Sequence, residues 1–522
     1  MNHSAETLKT KGKTAPALKP IKSALISVYY KEGLDEIIRL LQKYQVPLYS
    51  TGGTQTFIES LGADVTPVER LTSYPSILGG RVKTLHPKIF GGILGRRSNP
   101  EDQQQMQQYQ IPEIDLVIVD LYPFEETVAK TNDEKSIIEK IDIGGTSLIR
   151  AAAKNFEDVL VVAGKSQYPQ LISLLQEKKG YSALEDRRAF AAEAFNITSH
   201  YDTAIFKYFN RQQTVHAFKE SILHGRPLRY GENPHQQGMF YGNLEEVFEI
   251  LGGKELSYNN LVDIDAAMQL IGEFQENTFA IIKHTNACGV ASRPDVLQAW
   301  KDALAADPLS AFGGILITNT IVTAHAARAI HELFFEVLLA PGYEPQALEL
   351  LRSKKNRILL QMRQQAFASW QFRSLLNGVV AQETDSKTET PAELKPVTQR
   401  QPDAQQVEDL LFANRIVKHL KSNAIVLAKN KQMLGMGCGQ TSRVDALKQA
   451  ILKARTFGFD LSGAVMASDA FFPFPDCVEI AHQAGISAVI HPGGSVRDQE
   501  SIDYCNAHQM TMVVTGFRHF RH

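Results

Sequence analysis

The chain has 522 residues, of which 43% are hydrophobic and 21% are charged, and 55 basic residues nearly balance 57 acidic ones. This length predicts about two or three domains, because one hydrophobic core seldom organises so long a chain. The near-zero net charge argues against a nucleic-acid partner. No apolar run reaches the roughly 20 residues of a membrane span, and the N-terminus lacks the apolar segment of a secretory signal. We therefore expect a cytoplasmic protein with no membrane contact.

The cysteines and histidines do not form a metal-binding pattern. The four cysteines are scattered, with no CxxC pair, and no His stands two residues before a Glu. A disulfide framework, a structural zinc site and a zinc deaminase site are therefore disfavoured, and no metal is expected.

Composition and pattern along the chain predict several segments. Residues 1–22 carry five lysines against one glutamate, which is typical of a flexible tail. Residues 23–200 alternate strand and helix patterns, residues 201–225 are expected to form a connector, and residues 226–522 form a second region. Within that region, residues 381–404 lack an apolar period and predict an exposed connector between two lobes.

Short apolar runs alternate with helical patterns from residue 24 onwards. The run at residues 24–28 precedes apolar residues at helical spacing, and residues 115–119 and 158–162 repeat the strand pattern. Because these runs are too rich in Val, Ile and Leu to alternate with polar residues, they predict a parallel sheet that is covered on both faces. The expected fold class is α/β.

In the second region, apolar strands repeatedly end in polar clusters. The clusters are KHTN from Lys283, SDAFF from Ser468, HPGG from His491 and TGFRH from Thr515. Ligands bind beyond the carboxyl ends of strands in open α/β sheets, so these clusters predict a site. A short echo between residues 307–314 and 468–474 allows a duplicated lobe but is too short to establish one.

Glycine-bearing turns in the first region indicate an anion site. TGGT from Thr51 follows a strand, and IDIGGTS from Ile141 opens a helix, so backbone N–H groups can approach a phosphate there. Each turn alone is more often a simple turn with a helix cap. Between them lies the cationic loop GGRVKTLHPK, and a Tyr follows another strand in DLYPF. Together they suit acid–base chemistry on a phosphorylated substrate.

The strings GGRVKTLHP, DLYPF and IDIGGTSLIRAAAKN resemble the inosine monophosphate (IMP) cyclohydrolase domain of a bifunctional purine-biosynthesis family, which has a methylglyoxal-synthase-like fold. The resemblance implies that formyl-aminoimidazole-carboxamide ribotide (FAICAR) closes to IMP with loss of water. It implies that Lys83 and Tyr122 polarise the carbonyl group, and that Asp142 and Lys154 transfer and orient protons. The residues implied for phosphoribosyl binding are Lys31, Thr51, Gly52, Gly53, Thr54, Arg81, Thr84, Gly144 and Gly145.

The second region resembles the transformylase half of the same family. The matching strings include LRYGENPHQ, ELSYNNLVD, KHTNACGVA, KSNAIVLAKN, GCGQTSRVDA and SDAFFPFPD. The resemblance implies duplicated cytidine-deaminase-like lobes without catalytic zinc. It implies formyl transfer from the cosubstrate 10-formyltetrahydrofolate to aminoimidazole-carboxamide ribotide (AICAR), which gives FAICAR. Because that family shares this site between subunits, a homodimer is expected.

The same resemblance assigns roles in formyl transfer. His284 is implied as the general base, Lys283 as the group that stabilises the oxyanion or protonates the folate nitrogen, and Asn423 as a further donor. The residues implied for the ribotide are Arg229, Tyr230, Asn260, Arg443 and Arg518. Those implied for the walls of the ribotide and folate pockets are Phe312, Gly313, Phe471, Phe474 and Asp476.

Four positions depart from the family pattern. Tyr29 and Tyr30 stand where the family has Ser-Asp, Asp120 stands where it has Asn, and Ala287 stands where it has Pro. The first departures lie near the expected phosphate pocket and leave an alternative open, in which formyl transfer persists beside a weakened cyclohydrolase. A second alternative is an N-terminal domain that only senses nucleotides. The loss of Pro at position 287 is expected to have a modest effect.

Overall fold

The computed structural model describes residues 18–363 and 368–522. The chain divides into two compact units, residues 1–223 and residues 224–522. Most of the predicted tail, residues 1–17, lies outside the described residues. Within the described ranges, no helix is both long enough and apolar enough to cross a bilayer.

The first unit alternates short strands with helices. Its strands are β1 (Lys19–Pro20), β2 (Ala24–Ser27), β3 (Leu48–Ser50), β4 (Thr66–Pro67), β5 (Leu116–Val119), β6 (Leu160–Val162) and β7 (Tyr181–Ser182). Its helices are α1 (Leu34–Lys43), α2 (Gly52–Ser60), α3 (Val68–Thr72), α4 (Pro87–Leu94), α5 (Pro100–Gln108), α6 (Phe124–Lys130), α7 (Glu134–Ile138), α8 (Gly144–Lys154), α9 (Tyr168–Glu177) and α10 (Leu184–Phe209).

Five of these strands form a parallel sheet in the order β4-β3-β2-β5-β6. Leu25 and Ile26 point to opposite faces of this sheet, yet both are 0% exposed. Both faces are therefore covered, which confirms the predicted parallel sheet. Lys19 and Pro20, at the end of the predicted tail, pair with β7 and so belong to the fold.

The second unit is larger and contains longer runs of strand. Its strands are β8 (Gly225–Leu228), β9 (Gly238–Tyr241), β10 (Phe248–Gly252), β11 (Thr278–Lys283), β12 (Asn286–Ser292), β13 (Ile315–Thr318), β14 (Val337–Ala340), β15 (Ile358–Met362), β16 (Trp370–Leu375), β17 (Gly378–Glu383), β18 (Lys395–Pro396), β19 (Ile425–Lys429), β20 (Gln432–Gly437), β21 (Val465–Ser468), β22 (Ala488–His491) and β23 (Thr511–Val514). Its helices are α11 (Tyr258–Ile271), α12 (Val296–Ala306), α13 (Pro308–Ala311), α14 (Ala324–His331), α15 (Pro345–Arg352), α16 (Ala404–Val417), α17 (Arg443–Thr456), α18 (Asp476–Gln483) and α19 (Asp498–Ala507).

One large mixed sheet organises this unit, in the order β10-β15-β14-β13-β11-β12-β20-β19-β21-β22-β23-β18. Strands β11 to β15 form a hairpin, one further antiparallel pair and two parallel pairs. Strands β19 to β23 repeat that order and those directions. The two sets meet where β12 pairs with β20, so the unit contains one α/β pattern twice.

The repeat extends to individual side chains. The turn between β11 and β12 donates its backbone N–H groups to Asp263, and the turn between β19 and β20 donates its N–H groups to Asp409. Gly289 and Gly435 sit at matching positions, each so close to a helix that a Cβ would lie within 2.4 Å of a backbone oxygen. The two halves of the large sheet therefore share side-chain contacts as well as strand order.

Residues 381–404, which the sequence predicts as an exposed connector, are only partly exposed. Residues 381–383 are exposed and end β17, whereas Glu389 is 4% exposed and Leu394 is 9% exposed. Lys395 then pairs with β23. Part of this segment therefore packs into the second unit.

Candidate active sites

A cavity of about 720 Å³ lies at the carboxyl edge of the parallel sheet in the first unit. The loops that follow β2, β3 and β5 line it together with the first turn of α8. The predicted residues that line it are Lys31, Thr51, Gly53, Thr54, Arg81, Lys83, Thr84, Tyr122, Asp142, Gly144 and Gly145. The structure therefore brings together most of the residues that the sequence assigned to ring closure.

Lys83 lies against two glycine turns. A Cβ on Gly52 would lie 3.2 Å from the Lys83 Nζ atom, and a Cβ on Gly80 would lie 2.8 Å from its Cε atom. Both glycines also have positive φ, 53° and 89°, which disfavours other residues. The glycines thus let the ammonium group sit beside the TGGT turn at the start of α2.

Asp142 is fixed by the turn that opens α8. Its Oδ1 atom accepts a hydrogen bond from the Gly145 N–H at 2.7 Å, and its own N–H donates to the Tyr201 hydroxyl at 2.9 Å. Burial raises the pKa of Asp142, and the N–H groups of Gly145 and Tyr122 oppose that rise. A carboxyl group with a raised pKa, held in a fixed position, suits proton transfer.

Gly145→Ala is expected to slow ring closure about tenfold to a hundredfold, because a Cβ there would lie 2.5 Å from the Asp142 Oδ2 atom and displace the carboxylate. Steady-state assays with FAICAR supplied directly measure this effect. The matched control is Gly164→Ala, whose Cβ would meet its nearest neighbour at an ordinary 3.7 Å. Equal activity of the two variants would contradict the assigned role of Asp142.

Tyr122 stands at the mouth of the cavity and is 43% exposed. Burial raises the pKa of Tyr122, and the nearby carboxylates of Asp142 and Asp120 raise it further. The phenol is therefore a neutral hydrogen-bond donor near pH 7. Its ring meets the edge of Tyr29 at 5.8 Å between centroids.

The two threonines of the TGGT turn have different partners. The Thr54 hydroxyl donates to the Val28 carbonyl oxygen at 2.9 Å and accepts from the Val28 N–H at 3.0 Å. Thr51 is 5% exposed, and its hydroxyl has no hydrogen-bond partner among the residues that the structure describes. Thr51 is thus free to bind a ligand, whereas Thr54 holds the loop.

Two predicted phosphate-binding cations already have partners in the first unit. Lys31 donates to the carbonyl oxygens of Val28 and Tyr29, and burial lowers its pKa. Arg81 forms an ion pair with Glu139 at the rim. Each keeps donors for a phosphate, because an ammonium group has three N–H donors and a guanidinium five, and both side chains line the cavity.

The structure does not bring Lys154 to the cavity. This lysine is the last residue of α8 and is exposed, whereas Gly144 at the other end of the helix lines the cavity. At 1.5 Å per residue, the helix separates them by about 15 Å. Lys154 therefore does not line this cavity, and its role in proton transfer stays a prediction.

Two departures from the family pattern are in contact. The buried carboxylate of Asp120 accepts hydrogen bonds from the backbone N–H groups of Tyr29 and Tyr30. Burial raises the pKa of Asp120, and these N–H groups oppose that rise. In the sequence these positions look like separate changes. In the fold, the Asp120 carboxylate holds the loop of Tyr29 and Tyr30, and we call this contact the loop anchor.

In the second unit, Lys283 and His284 lie at the tight turn between β11 and β12. His284 and Thr285 have φ values of 51° and 65°, as a two-residue type I′ turn requires. Asp263 accepts the N–H groups of both residues, at 3.3 Å and 2.8 Å. The Lys283 ammonium donates to the Phe312 carbonyl oxygen, so the predicted pair lies beside Phe312 and its neighbour Gly313.

Asp263 positions the turn that carries Lys283 and His284, and the sequence did not single it out. It lies in the quoted string ELSYNNLVD, six residues after the Ser that caps α11. Its partners follow it by about 20 residues, so no local pattern links them. The signal that could have found it is the same spacing between Asp409 and the turn at Asn430 in the other lobe.

Asn423 is held in the loop before β19 and adjoins the Lys283 hairpin. Its side-chain amide donates to the Gln440 carbonyl oxygen at 2.9 Å, and its Oδ1 atom accepts from Arg443 at 2.8 Å. Two residues earlier, the N–H of Lys421 donates to the Asn286 Oδ1 atom at 3.2 Å. This bond joins the loop of Asn423 to the hairpin that carries Lys283.

Arg443 and Asn260, both predicted ribotide ligands, are engaged within the fold. The Arg443 guanidinium pairs with the buried Asp469 and also donates to the Phe471 carbonyl oxygen and to Asn423. Asn260 accepts from the Ser257 N–H at 3.1 Å and closes the first turn of α11. These bonds leave two guanidinium N–H donors of Arg443 and the NH2 group of Asn260 unused, so ribotide binding by both residues stays a prediction.

The remaining predicted ligands of the second unit lie in loops. Arg229 donates to the Tyr230 hydroxyl at 2.8 Å and stacks on its ring. Phe471 and Phe474 follow β21, and Asp476 begins α18. Arg518 lies over the Phe520 ring in the C-terminal segment.

No group of three or more His, Cys, Asp and Glu side chains within residues 18–363 and 368–522 is placed to hold a metal ion.

Comparisons with known proteins agree along nearly the whole chain. Residues 152–453 match the family model described as AICARFT/IMPCHase bienzyme, and residues 33–147 match that of the MGS-like domain. The "Bifunctional purine biosynthesis protein PurH" of Bacteroides thetaiotaomicron is 62% identical, covering 97% of this chain and 99% of its own. The proteins of that name from Aquifex aeolicus and Persephonella marina are 47% and 44% identical, each covering 96% of this chain and 100% of its own. With a family model that matches more than half of its residues and full-length relatives of this similarity, the chain belongs to the AICARFT/IMPCHase bienzyme family.

Proposed function

We propose that this chain catalyses the last two steps of IMP synthesis. The second unit transfers a formyl group from 10-formyltetrahydrofolate to AICAR, and the first unit closes the resulting FAICAR to IMP with loss of water. Family membership supports the pair of reactions. The observation that carries the proposal is the convergence of Lys83, Tyr122 and Asp142 on one cavity.

Ring closure needs a proton acceptor and a stabilised oxyanion, because an amide nitrogen is a poor nucleophile. Asp142 takes the proton from the carboxamide nitrogen as that nitrogen attacks the formyl carbon. The former formyl oxygen then leaves as water with this proton and the proton of the formamide nitrogen, which forms the C=N bond of the purine. Lys83 and Tyr122 donate to the oxygen that gains charge. Thr51 and the backbone N–H groups at the start of α2 and α8 hold the phosphate, where the positive ends of the helices add to the attraction.

Formyl transfer must remove a proton from an amine that conjugation has weakened. His284 acts as the base, while Lys283 stabilises the tetrahedral oxyanion or protonates the folate nitrogen that leaves. Asn423 adds a further donor. The groups proposed to line the ribotide and folate pockets are Arg229, Tyr230, Phe312, Gly313, Phe471, Phe474, Asp476 and Arg518.

The proposal extends to assembly and location. The protein acts in the cytoplasm as a homodimer, with 10-formyltetrahydrofolate as cosubstrate and without a catalytic metal. The loops of Arg229 and Arg518 are exposed on one chain, which suits a site that two subunits complete. A protein that sedimentation equilibrium shows to be monomeric, and that retains full formyl transfer, would refute the homodimer.

The direct test supplies AICAR and 10-formyltetrahydrofolate to the full chain and follows absorbance. Release of tetrahydrofolate and formation of purine nucleotide are both expected. A second assay supplies FAICAR alone, so that ring closure is measured without formyl transfer. Absence of ring closure in the second assay, with formyl transfer intact, would establish the weakened-cyclohydrolase alternative instead.

Asp120→Asn is expected to destabilise the first unit by about 1–3 kcal/mol, because one backbone N–H of the Tyr29–Tyr30 loop would lose its acceptor. Hydrogen exchange of peptides from the first unit across a urea series measures this change, because both tryptophans lie in the second unit. The control is Asp64→Asn, which alters an exposed carboxylate of the same unit. A variant at position 120 as stable as that control would show that the anchor contributes nothing.

A further inference from the structure

The C-terminal segment of the second unit is tied down by a buried histidine. His519 is 3% exposed, and both of its ring nitrogens contact carboxylates. The Nδ1 atom lies 2.7 Å from Asp385 Oδ2, and the Nε2 atom lies 2.9 Å from Glu389 Oε1. Glu389 is itself buried and accepts from the Asn414 amide at 2.9 Å. An imidazolium between two carboxylates is a strong clamp, because both hydrogen bonds join opposite charges.

The clamped segment touches the loop of Asn423 directly. The His519 N–H donates to the Asp469 carbonyl oxygen at 3.0 Å. The Ser422 N–H donates to the Arg521 carbonyl oxygen at 3.0 Å, and the Arg521 N–H donates to the Ser422 hydroxyl at 3.1 Å. The Ser422 hydroxyl in turn donates to the carboxylate of Asp469. Two hydrogen bonds thus join the C-terminal segment to Ser422, the residue immediately before Asn423.

The C-terminal segment also contacts the loop of Asn423 through Asp469. Asp469 accepts the Ala424 N–H at 3.2 Å and pairs with Arg443, which donates to the Asn423 side chain. Arg518, a proposed ribotide ligand, is the neighbour of His519 in the chain. If His519 lost its two carboxylate partners, both Asn423, a proposed catalytic group, and Arg518, a proposed ligand, would be held less firmly.

We propose that His519 is a positioning residue for formyl transfer: held between Asp385 and Glu389, it fixes the C-terminal segment and thereby the loop of Asn423. This inference rests on the proposed function of the second unit. It assigns no role to His519 in ring closure, since its contacts all lie within the second unit.

The charge on His519 makes the clamp sensitive to pH. Burial alone would lower the pKa of His519, but the hydrogen bonds to Asp385 and Glu389 outweigh it and raise the pKa to about 9. Because a raised pKa stabilises the charged form, the clamp is complete at neutral pH and is lost as pH rises through about 9. The other charged groups around this segment are Lys387, Lys418, Arg443 and Asp469.

The test measures formyl transfer and ring closure on the same full-length preparations between pH 6.5 and 10. His519→Gln is expected to lower kcat/KM for formyl transfer about tenfold or more at pH 7, since a charged, buried contact is lost. Its profile should also lack the wild-type decline near pH 9. Ring closure should be unchanged. The control His522→Gln alters the exposed last residue of the same segment and should match wild type.

Asp385→Asn tests the clamp without emptying a buried position, because the Asp385 side chain is 47% exposed. Removing this carboxylate should lower the pKa of His519 and move the decline in formyl transfer to lower pH. A decline that stays in place in Asp385→Asn, or a His519→Gln enzyme with wild-type kcat/KM and pH profile, would overturn the inference. Equal loss of both activities in Asp385→Asn would overturn it too. Wild-type protein without formyl transfer would instead refute the proposed function.

Discussion

Lys283→Met is expected to lower kcat for formyl transfer about 10²-fold to 10³-fold while ring closure continues at the wild-type rate. The ammonium group lies at the end of β11 beside Phe312, where the tetrahedral oxyanion is proposed to form. Methionine keeps most of the aliphatic stem but supplies no charge and no donor. Steady-state rates of tetrahydrofolate release measure the loss. If KM rose while kcat held, Lys283 would bind substrate without stabilising the transition state.

The second lobe offers a matched control for this variant. Lys429 ends β19 as Lys283 ends β11, and it also donates to a backbone carbonyl oxygen, that of Ser462 at 2.7 Å. It precedes Asn430 and Lys431, whose φ values of 52° repeat the tight turn. Lys429→Met should therefore leave formyl transfer within about twofold of wild type, because surface substitutions away from the site have small effects. If Lys429→Met lost as much formyl transfer as Lys283→Met, the loss in both variants would come from a disturbed hairpin and not from the missing ammonium group.

Lys83→Met is expected to slow ring closure about 10²-fold to 10³-fold and to leave formyl transfer unchanged. The ammonium group lies against the Gly52 and Gly80 turns, and replacing it removes a cation that lines the cavity and is proposed to donate to the oxyanion. Purine formation from supplied FAICAR measures the effect. Stopped-flow single turnovers would separate slow chemistry from weak binding.

A lysine on a neighbouring helix serves as the control for Lys83. Lys135 is exposed on α7 of the same unit. Lys135→Met should retain ring closure within about twofold, because substitution of an exposed lysine away from the cavity has a small effect. If Lys83→Met also retained ring closure, Lys83 would have no part in the chemistry and the sensor alternative would regain support.

Local sequence predicted the strands and the polar clusters after them. The uninterrupted apolar runs at β2, β5 and β6 are confirmed as a parallel sheet, because only strands buried on both faces can lack polar positions. The glycine turns at the starts of α2 and α8 are found where the sequence places them. These features follow from neighbours in the chain, so a sequence pattern can carry them.

Partners distant in the chain escaped prediction. Arg443 follows a glycine-bearing turn and has a side chain suited to phosphate. Its guanidinium pairs with Asp469, which lies at another strand end, and the sequence did not predict this pair. Lys154 belongs to a long matching string, but the length of α8 carries it away from the cavity. Asp120 and Tyr29 look like separate changes and share a hydrogen bond.

By itself, the sequence determined which residue types follow each strand and therefore the two chemistries that the chain can support. Only the tertiary structure decided which of those side chains remain free. The physical reason is that a buried donor or acceptor must find a partner, and that partner can lie anywhere in the chain. Thr51 has no partner among the described residues, whereas the Thr54 hydroxyl bonds Val28 and the Arg443 guanidinium pairs with Asp469 across the fold.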